Sequence, residues 1–436
     1  MNLFIFRRDL RLYDNTALIE SLNDDETATV FIFDPEQIKN NEYKSEKAVK
    51  FMVSSLYDLS NDIKGYNQRL ALFAGAPLKI IKRIISENKI TGIYLNRDYT
   101  PFSIKRDNYI MELCRKNNIK FNAFDDYFLS DPEIKNKNNN YYKNFSAFYR
   151  AASVLNVRNP DYKIKFSNLT SIDGDDIELK YSGNGRKNAL VKMNEFIKKD
   201  YSLRDIPALN MSLKLSSDIK FGNISIREAY FMANNNEFRR QLYWRDFYLY
   251  IAYHFPYVFG SNFNKSNHKY DNNKKYIEAW KNGITGYPIV DAAMRDLNET
   301  GYINNRLRLI VSSFLVKDLH VDWRIGERYF AKKLVDYDPA SNNGNWQWIA
   351  STGTDPMGSY RRLNPWIQQR RFDPECLYIK SHVAELSDLD PDIIHNIYKI
   401  ELKNYPRPIV DHKNAVEEFK RLNSNISIID KDLQSW

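Results

Sequence analysis

Short runs of apolar, β-branched and aromatic residues recur at Leu3 to Phe6, Thr29 to Phe33, Leu70 to Phe73, Gly92 to Leu95 and Lys120 to Phe124. Between them lie longer segments with helical spacing, among them Ala48 to Ile63, Leu78 to Glu87 and Ile104 to Asn117. Strand alternating with helix predicts a parallel, doubly wound α/β domain over residues 1–125. Residues 126–195 read as a connector: polar residues cluster in Asn136 to Asn140, and Ser182-Gly-Asn-Gly185 breaks any regular element. From residue 196 to 436 the strand signal fades. Amphipathic stretches follow one another there, at Ile226 to Asn234, Glu237 to His254, Tyr276 to Asn282, Ile289 to Thr300, Asn305 to Leu319 and Glu327 to Leu334. This part is predicted to be all-α, and it holds all seven tryptophans.

Composition narrows the chemistry. Hydrophobic residues make up 43% of the 436 positions, enough for packed cores and too many for a disordered chain. The two cysteines, Cys114 and Cys376, and six scattered histidines show no metal-ligand spacing, so neither a zinc site nor a disulfide framework is expected. The apolar run Leu309 to Val316 is too short for a membrane span, and the opening Met-Asn-Leu-Phe-Ile-Phe lacks a basic leader. These features predict a cytoplasmic protein. The net charge of +9 suits an anionic partner such as nucleic acid, although abundant Lys, Asn and Ile also follow from genome base composition.

Three clusters carry candidate chemistry. The first joins Asp318-Leu-His-Val-Asp-Trp-Arg324 to Asp336-Tyr-Asp338 and Asn342-Asn-Gly-Asn-Trp346-Gln-Trp348. Paired carboxylates, adjacent amides and two tryptophans need polar partners if buried, which points to a polar, planar group; an aromatic core with a surface Asn-Asn turn is the alternative. On a helix turning about 100° per residue, Trp346 and Trp348 face nearly opposite sides, one towards an internal group and one towards an open cavity. The second cluster is Gln241-Leu-Tyr-Trp244-Arg245-Asp246-Phe247, which an ordinary aromatic helix would also explain. In the third, Ser212-Leu213-Lys214-Leu215-Ser216-Ser217, hydroxyls and backbone N–H groups before a helix either hold a phosphate or form a helix cap.

Together with Phe6-Arg-Arg-Asp-Leu-Arg-Leu-Tyr-Asp-Asn-Thr16, Trp280-Lys-Asn-Gly-Ile-Thr-Gly-Tyr-Pro-Ile-Val-Asp-Ala-Ala-Met-Arg295, Asp322-Trp-Arg-Ile-Gly-Glu-Arg-Tyr-Phe330 and Phe372-Asp-Pro374, these clusters resemble the photolyase and cryptochrome family over nearly the whole chain. The pattern is most like class I enzymes, archaeal ones included. The resemblance implies an N-terminal α/β domain, a linker and a helical domain holding bent FAD, whose reduced anionic form drives repair of cyclobutane pyrimidine dimers in DNA. By position, Ser212, Leu213, Lys214, Leu215 and Ser216 would contact the flavin phosphates. Phe238, Gln241, Arg245, Asn305, Arg308, Asp336, Tyr337 and Asp338 would surround the rest of the cofactor, with Asn342 facing flavin N5. Gln241, Trp244, Asn305, Arg306, Leu309, Trp348 and Arg361 would meet the flipped lesion and its strand. Trp346, Trp323 and Tyr270 would pass electrons inward to the flavin. UV-damaged DNA is the implied partner, with no membrane or metal, and the protein is expected to act as a monomer.

Several positions depart from the family pattern. Gln241 stands where many dimer photolyases have a glutamate, Leu309 where they have a methionine, and Tyr270 where the outer electron donor is usually tryptophan. Glutamine at that place also occurs in (6-4) photolyases and animal cryptochromes. However, Asn304-Asn-Arg-Leu-Arg308 lacks the histidines of (6-4) enzymes, so dimer repair is the expectation, with (6-4) repair or a cryptochrome-like photoreceptor as alternatives. Folate-binding members carry a glutamate where Asn122 stands, which favours a flavin or deazaflavin antenna, or none.

Overall fold

The computed structural model describes residues 1–39, 41–209, 211, 213–264, 268–354 and 363–422. Packing divides the chain into two compact units. One gathers Met1–Lys199, Leu213–Pro256 and Val335–Ala340; the other gathers Asp200–Ser212, Tyr257–Leu334 and Ser341–Trp436. The two units interleave along the chain.

In the first unit, β1 (Asn2–Phe6), β2 (Thr27–Phe33), β3 (Ala71–Ala74), β4 (Gly92–Asn96) and β5 (Lys120–Phe124) form a parallel sheet in the order β3-β2-β1-β4-β5. The predicted doubly wound sheet is the one observed. Alternate residues Leu3, Ile5, Ala28, Val30, Ala71, Phe73 and Ile93 join Ile80, Ile81, Ile84, Ile110 and Cys114, from helices Pro77–Glu87 and Pro101–Lys116, in one buried cluster. A two-residue strand, β6 (Leu169–Thr170), adds to the start of β2 from within the connector. It is too short to leave a periodic signal in the sequence. The strand order reverses between β1 and β4, and the carboxyl ends of such a pair open a crevice suited to a ligand.

A buried ion network welds the segment Leu213–Pro256 to this sheet domain. The Arg227 guanidinium donates to Asp14 at 2.9 Å and to Asp126 at 2.7 Å, and Arg11 reaches Asp126 at 2.5 Å. Burial alone would raise the Asp126 pKa, but the two guanidinium charges more than offset it and hold the carboxylate well below its usual range. Arg186 and Glu228 form a two-pronged pair at 2.8 and 2.6 Å, and Glu228 closes a capping box with Ser225.

In the second unit, all helical apart from short loops and turns among the described residues, Trp280, Leu307, Phe314, Trp323 and Trp346 lie in the core. The helix expected from Asn305 to Leu319 is α-helical only to Ser313 and continues as a π-turn over Phe314–Asp318. An apolar run this continuous carries no signature of period. No helix among the described residues is long and apolar enough to cross a membrane, and none of their His, Cys, Asp and Glu side chains cluster as a metal site.

Candidate active site

Within the first unit, helix Asn236–His254 presents Phe238, Gln241 and Arg245 at spacings of three and four, which places them on one helical face. Arg245 donates to the Tyr127 carbonyl at 2.5 Å and lies 3.3 Å from Asp246. Asp246 is fully buried, and burial raises its pKa to about 6 against the pull of Arg245 and the N–H groups of Leu129 and Ser130. Trp244 lies flat on Phe145, with ring centroids 3.6 Å apart and planes 8° from parallel. One indole face is thereby fixed. Phe145, which sequence reasoning missed, is a candidate site residue through this contact.

Before the helix Leu215–Phe221, Leu213 and Lys214 both adopt left-handed backbone, with φ of 45° and 60°. Two successive non-glycine residues in this conformation are costly, and such strain persists where surrounding contacts require it. The turn suits convergence of backbone N–H groups on an anion. Ser216 donates its hydroxyl to Asp336 at 2.6 Å, and two residues on, Asp338 accepts from Arg8 at 2.7 Å. Ser212 lies outside the described residues, as does Arg361.

The second unit holds the remaining candidates. Asn342 is buried and donates its amide to the Glu327 carbonyl at 3.1 Å, which sets the orientation of its oxygen. The Trp346 ring packs on Phe330 at 5.0 Å and Trp280 at 6.3 Å and rests on Gly326, while Trp348 is half-buried. Trp323 donates its indole N–H to Asn262 at 3.1 Å, with Arg324 over its ring at 4.8 Å. Tyr270 is half-buried; its hydroxyl has no hydrogen-bond partner among the described residues, and burial together with the nearby Asp322 charge raises its pKa. Asn305 is exposed, Leu309 half-buried, and Arg308 donates to the Ile303 carbonyl at 3.1 Å. Arg306 is less available for phosphate than expected, because it is paired with Asp205 and covers the Phe372 ring at 4.4 Å. Arg370 and Arg371 are exposed on the last turn of helix Pro365–Phe372.

In the first unit the turn at Leu213 and Lys214 and the half-buried Arg245 guanidinium suit an anionic cofactor, and in the second the buried Asn342 amide is held in one orientation. A second cavity, of about 250 Å³, opens in the first unit at the carboxyl ends of β1, β2 and β4. Arg8, Asp34, Tyr43, Asp98, Lys220 and Tyr337 are among its lining residues. Arg106 also lines it, with a buried Nη2 that has no hydrogen-bond partner, an orphaned donor fit for an anionic or carbonyl-bearing ligand. Of the residues lining the cavity only Tyr337 stood among the expected FAD contacts, and its ring lies in the wall of this cavity against Tyr43. The reversal of strand order was the signal that could have found the others.

Residues 2–161 match the model of the DNA photolyase family, and residues 238–424 match that of the FAD-binding domain of DNA photolyase. The deoxyribodipyrimidine photo-lyase of Buchnera aphidicola is 34% identical over 95% of this chain and 96% of its own. The chain belongs to the DNA photolyase family. An archaeal photolyase from Sulfolobus tokodaii, whose crystal structure holds two FAD molecules with the implication of a novel light-harvesting cofactor, superposes with a TM-score of 0.88. The two chains are 46% identical over 98% of this one and all of the other. A Synechocystis cryptochrome shares the photolyase fold, with a TM-score of 0.87 at 24% identity over 97% of this chain and 99% of its own. Phe238, Gln241, Trp244 and Arg245 fall inside the FAD-binding photolyase match, and so do Asn342, Trp346 and Trp348.

Proposed function

We propose that this photolyase splits cyclobutane pyrimidine dimers in DNA under blue light, acting as a cytoplasmic monomer with FAD as its working cofactor. The observation that carries this reading is the Trp244 indole, braced on one face by Phe145 and set on the same helix as Gln241 and Arg245. A lesion must leave the base stack to be acted on, and a flat aromatic surface receives it with about 1–3 kcal/mol per stacked base. Gln241 donates its amide to a thymine carbonyl, Leu309 gives apolar contact, and Trp348 and Asn305 bound the lesion. The exposed Arg370 and Arg371 attract the phosphate backbone.

When bound in its reduced form, FAD supplies the light-excited electron that enters the dimer and returns after the ring opens. The chain's own residues bind and tune that group. The strained turn at Leu213 and Lys214, with the Ser216 N–H, would hold its phosphates, while Arg245, Arg308, Asp336 and Asp338 would surround the rest of it. Asn342 would face N5 with an amide that can donate or accept. Trp346 and Trp323 would carry electrons inward to restore the reduced state, with Tyr270 as the outer member. The second cavity takes a flavin or deazaflavin antenna, as the two FAD molecules of the Sulfolobus relative suggest.

The test is repair of an oligonucleotide carrying one thymine dimer, in blue light and in darkness, beside a (6-4) substrate. Light-dependent loss of the dimer alone is expected. Repair of the (6-4) lesion alone would overturn the substrate assignment, and no repair of either lesion by protein holding reduced FAD would replace the enzyme with a photoreceptor.

A further inference from the structure

The segment Val335–Ala340 packs within the first unit, and its side chains point two ways. Asp336 accepts from Ser216 on the phosphate turn at 2.6 Å. Its neighbour Tyr337 lines the second cavity and stacks on Tyr43, with ring centroids 6.3 Å apart and planes 19° from parallel. Next, Asp338 accepts from Arg8, which also lines that cavity. Arg8 reaches further: its second amino group lies 3.3 Å from Asp98, and its guanidinium covers the Tyr127 ring at 4.7 Å. The Tyr127 carbonyl in turn holds Arg245. Arg8 Nε is buried without a hydrogen-bond partner. One arginine and one three-residue stretch thus connect the wall of the second cavity to Asp336, Asp338 and Arg245.

We infer that the two chromophore sites are thermodynamically linked through Arg8 and Tyr337, so that filling the second cavity tightens the hold on the catalytic FAD. This rests on the functional reading above. An aromatic ligand against Tyr337 and a hydrogen-bond acceptor at Arg8 Nε immobilise the Asp336–Asp338 stretch and the guanidinium that positions Arg245. Arg8 is therefore a positioning residue for the catalytic FAD, and Tyr337 couples the second ligand to the stretch that carries Asp336 and Asp338. Linkage is reciprocal: the catalytic FAD must favour the second ligand by the same factor.

The experiment begins with full-length protein holding one FAD, to which FMN, which lacks the adenosine half, is added. Binding of FMN is followed by titration calorimetry, and the FAD retained at equilibrium after serial dilution, read from its adenine content, gives its dissociation constant. Saturating FMN is expected to lower that constant by about fivefold or more, slowing FAD release. In Arg8→Met the slowing disappears although FMN still binds at saturation. Tyr337→Leu gives the same result and replaces Arg8→Met should that variant not fold. Lys44→Ala, altering a lining lysine outside this connection, weakens FMN binding but keeps the slowing at saturation. FMN that binds and leaves the dissociation constant of the catalytic FAD unchanged overturns the linkage and leaves the antenna reading standing. Failure of both FMN and added FAD to bind overturns the antenna reading, and the linkage with it.

Discussion

The Trp346 ring lies so close to Gly326 that a β-carbon on that glycine would sit 2.2 Å from its Cη2 atom and 2.5 Å from Cζ3. Gly326 falls one turn after Trp323 in the helix Trp323–Lys333, so the missing side chain lets one tryptophan rest on the backbone of the helix that carries the other. Gly326→Ala is expected to push Trp346 away, costing about 1–3 kcal/mol of stability through overpacking. Light-driven flavin reduction should slow by about tenfold, since 1.4 kcal/mol on the barrier is a factor of ten. Stopped illumination with absorbance detection reads this directly, and an unchanged rate in a folded variant would remove Trp346 from the electron path.

Phe145 fixes the plane of Trp244. Phe145→Leu should keep the protein folded while loosening the indole, and aromatic pairs of this kind are worth about 0.5–1.5 kcal/mol. Affinity for dimer-containing DNA is expected to fall by about threefold to tenfold, with undamaged DNA unaffected. Equal losses for both DNAs in a competition assay would mean that the ring pair is merely part of the core.

Among the described residues Asn342 gives one N–H to the Glu327 carbonyl, and its oxygen and remaining N–H are the groups it can offer a ligand. Asn342→Ala should destabilise the reduced anionic flavin by about 1.5–3 kcal/mol, the worth of a hydrogen bond to a charged group. That corresponds to a midpoint potential lower by about 30–60 mV for a two-electron couple. Potentiometric titration decides, and an unaltered potential would end the N5 assignment.

Tyr270 has a buried hydroxyl with no acceptor among the described residues and a raised pKa. Oxidised tyrosine must shed its proton, whereas a tryptophan radical cation can hold its own for a time. Tyr270→Trp should accelerate photoreduction several-fold, whereas Tyr270→Phe, which removes the oxidisable phenol, should slow it strongly. A Phe variant that photoreduces like the parent would mean that Tyr270 is not the outer donor.

Lys220, at the second cavity, has its pKa lowered to about 7 by burial and then by the neighbouring Arg8 charge, against 10.5 for an exposed lysine. With that cavity empty, the unfolded chain between pH 7 and 10.5 binds one more proton at this site than the folded protein. Stability from this residue therefore rises with pH through that window, and below pH 7 the burial penalty is felt in full. Lys220→Met should be more stable than the parent at pH 7 and show a flatter pH profile up to pH 10. Denaturant midpoints at a series of pH values check this, and parallel profiles would place the Lys220 ammonium in water.

The sheet was legible because β1, β2 and β4 are short apolar runs and the helices between them keep their spacing. The order of clusters around Trp244, Asn342 and Trp346 was legible as a family pattern, since long motifs survive as contiguous words. Arg8 belongs to one such word, yet its work depends on Asp338, 330 positions away, and no local spacing records that pairing. Phe145 sits in a connector with nothing to mark it until folding lays it on Trp244. The occupied state of Arg306 was equally hidden, because Asp205 is 101 positions distant.

The network around Arg227 also bears on how this chain is made. Asp126 leaves the ribosome after Arg11 but 101 residues before Arg227, the second arginine that neutralises it, a delay on the order of ten seconds at ordinary synthesis rates. During that interval the nascent sheet domain would have to bury Asp14 and Asp126 without this counter-charge or remain partly open. The amino-terminal half is therefore a poor candidate for expression by itself. A fragment ending near residue 199 would lack both the later arginine and the short Val335–Ala340 stretch, and should present to chaperones a surface that the complete polypeptide never exposes.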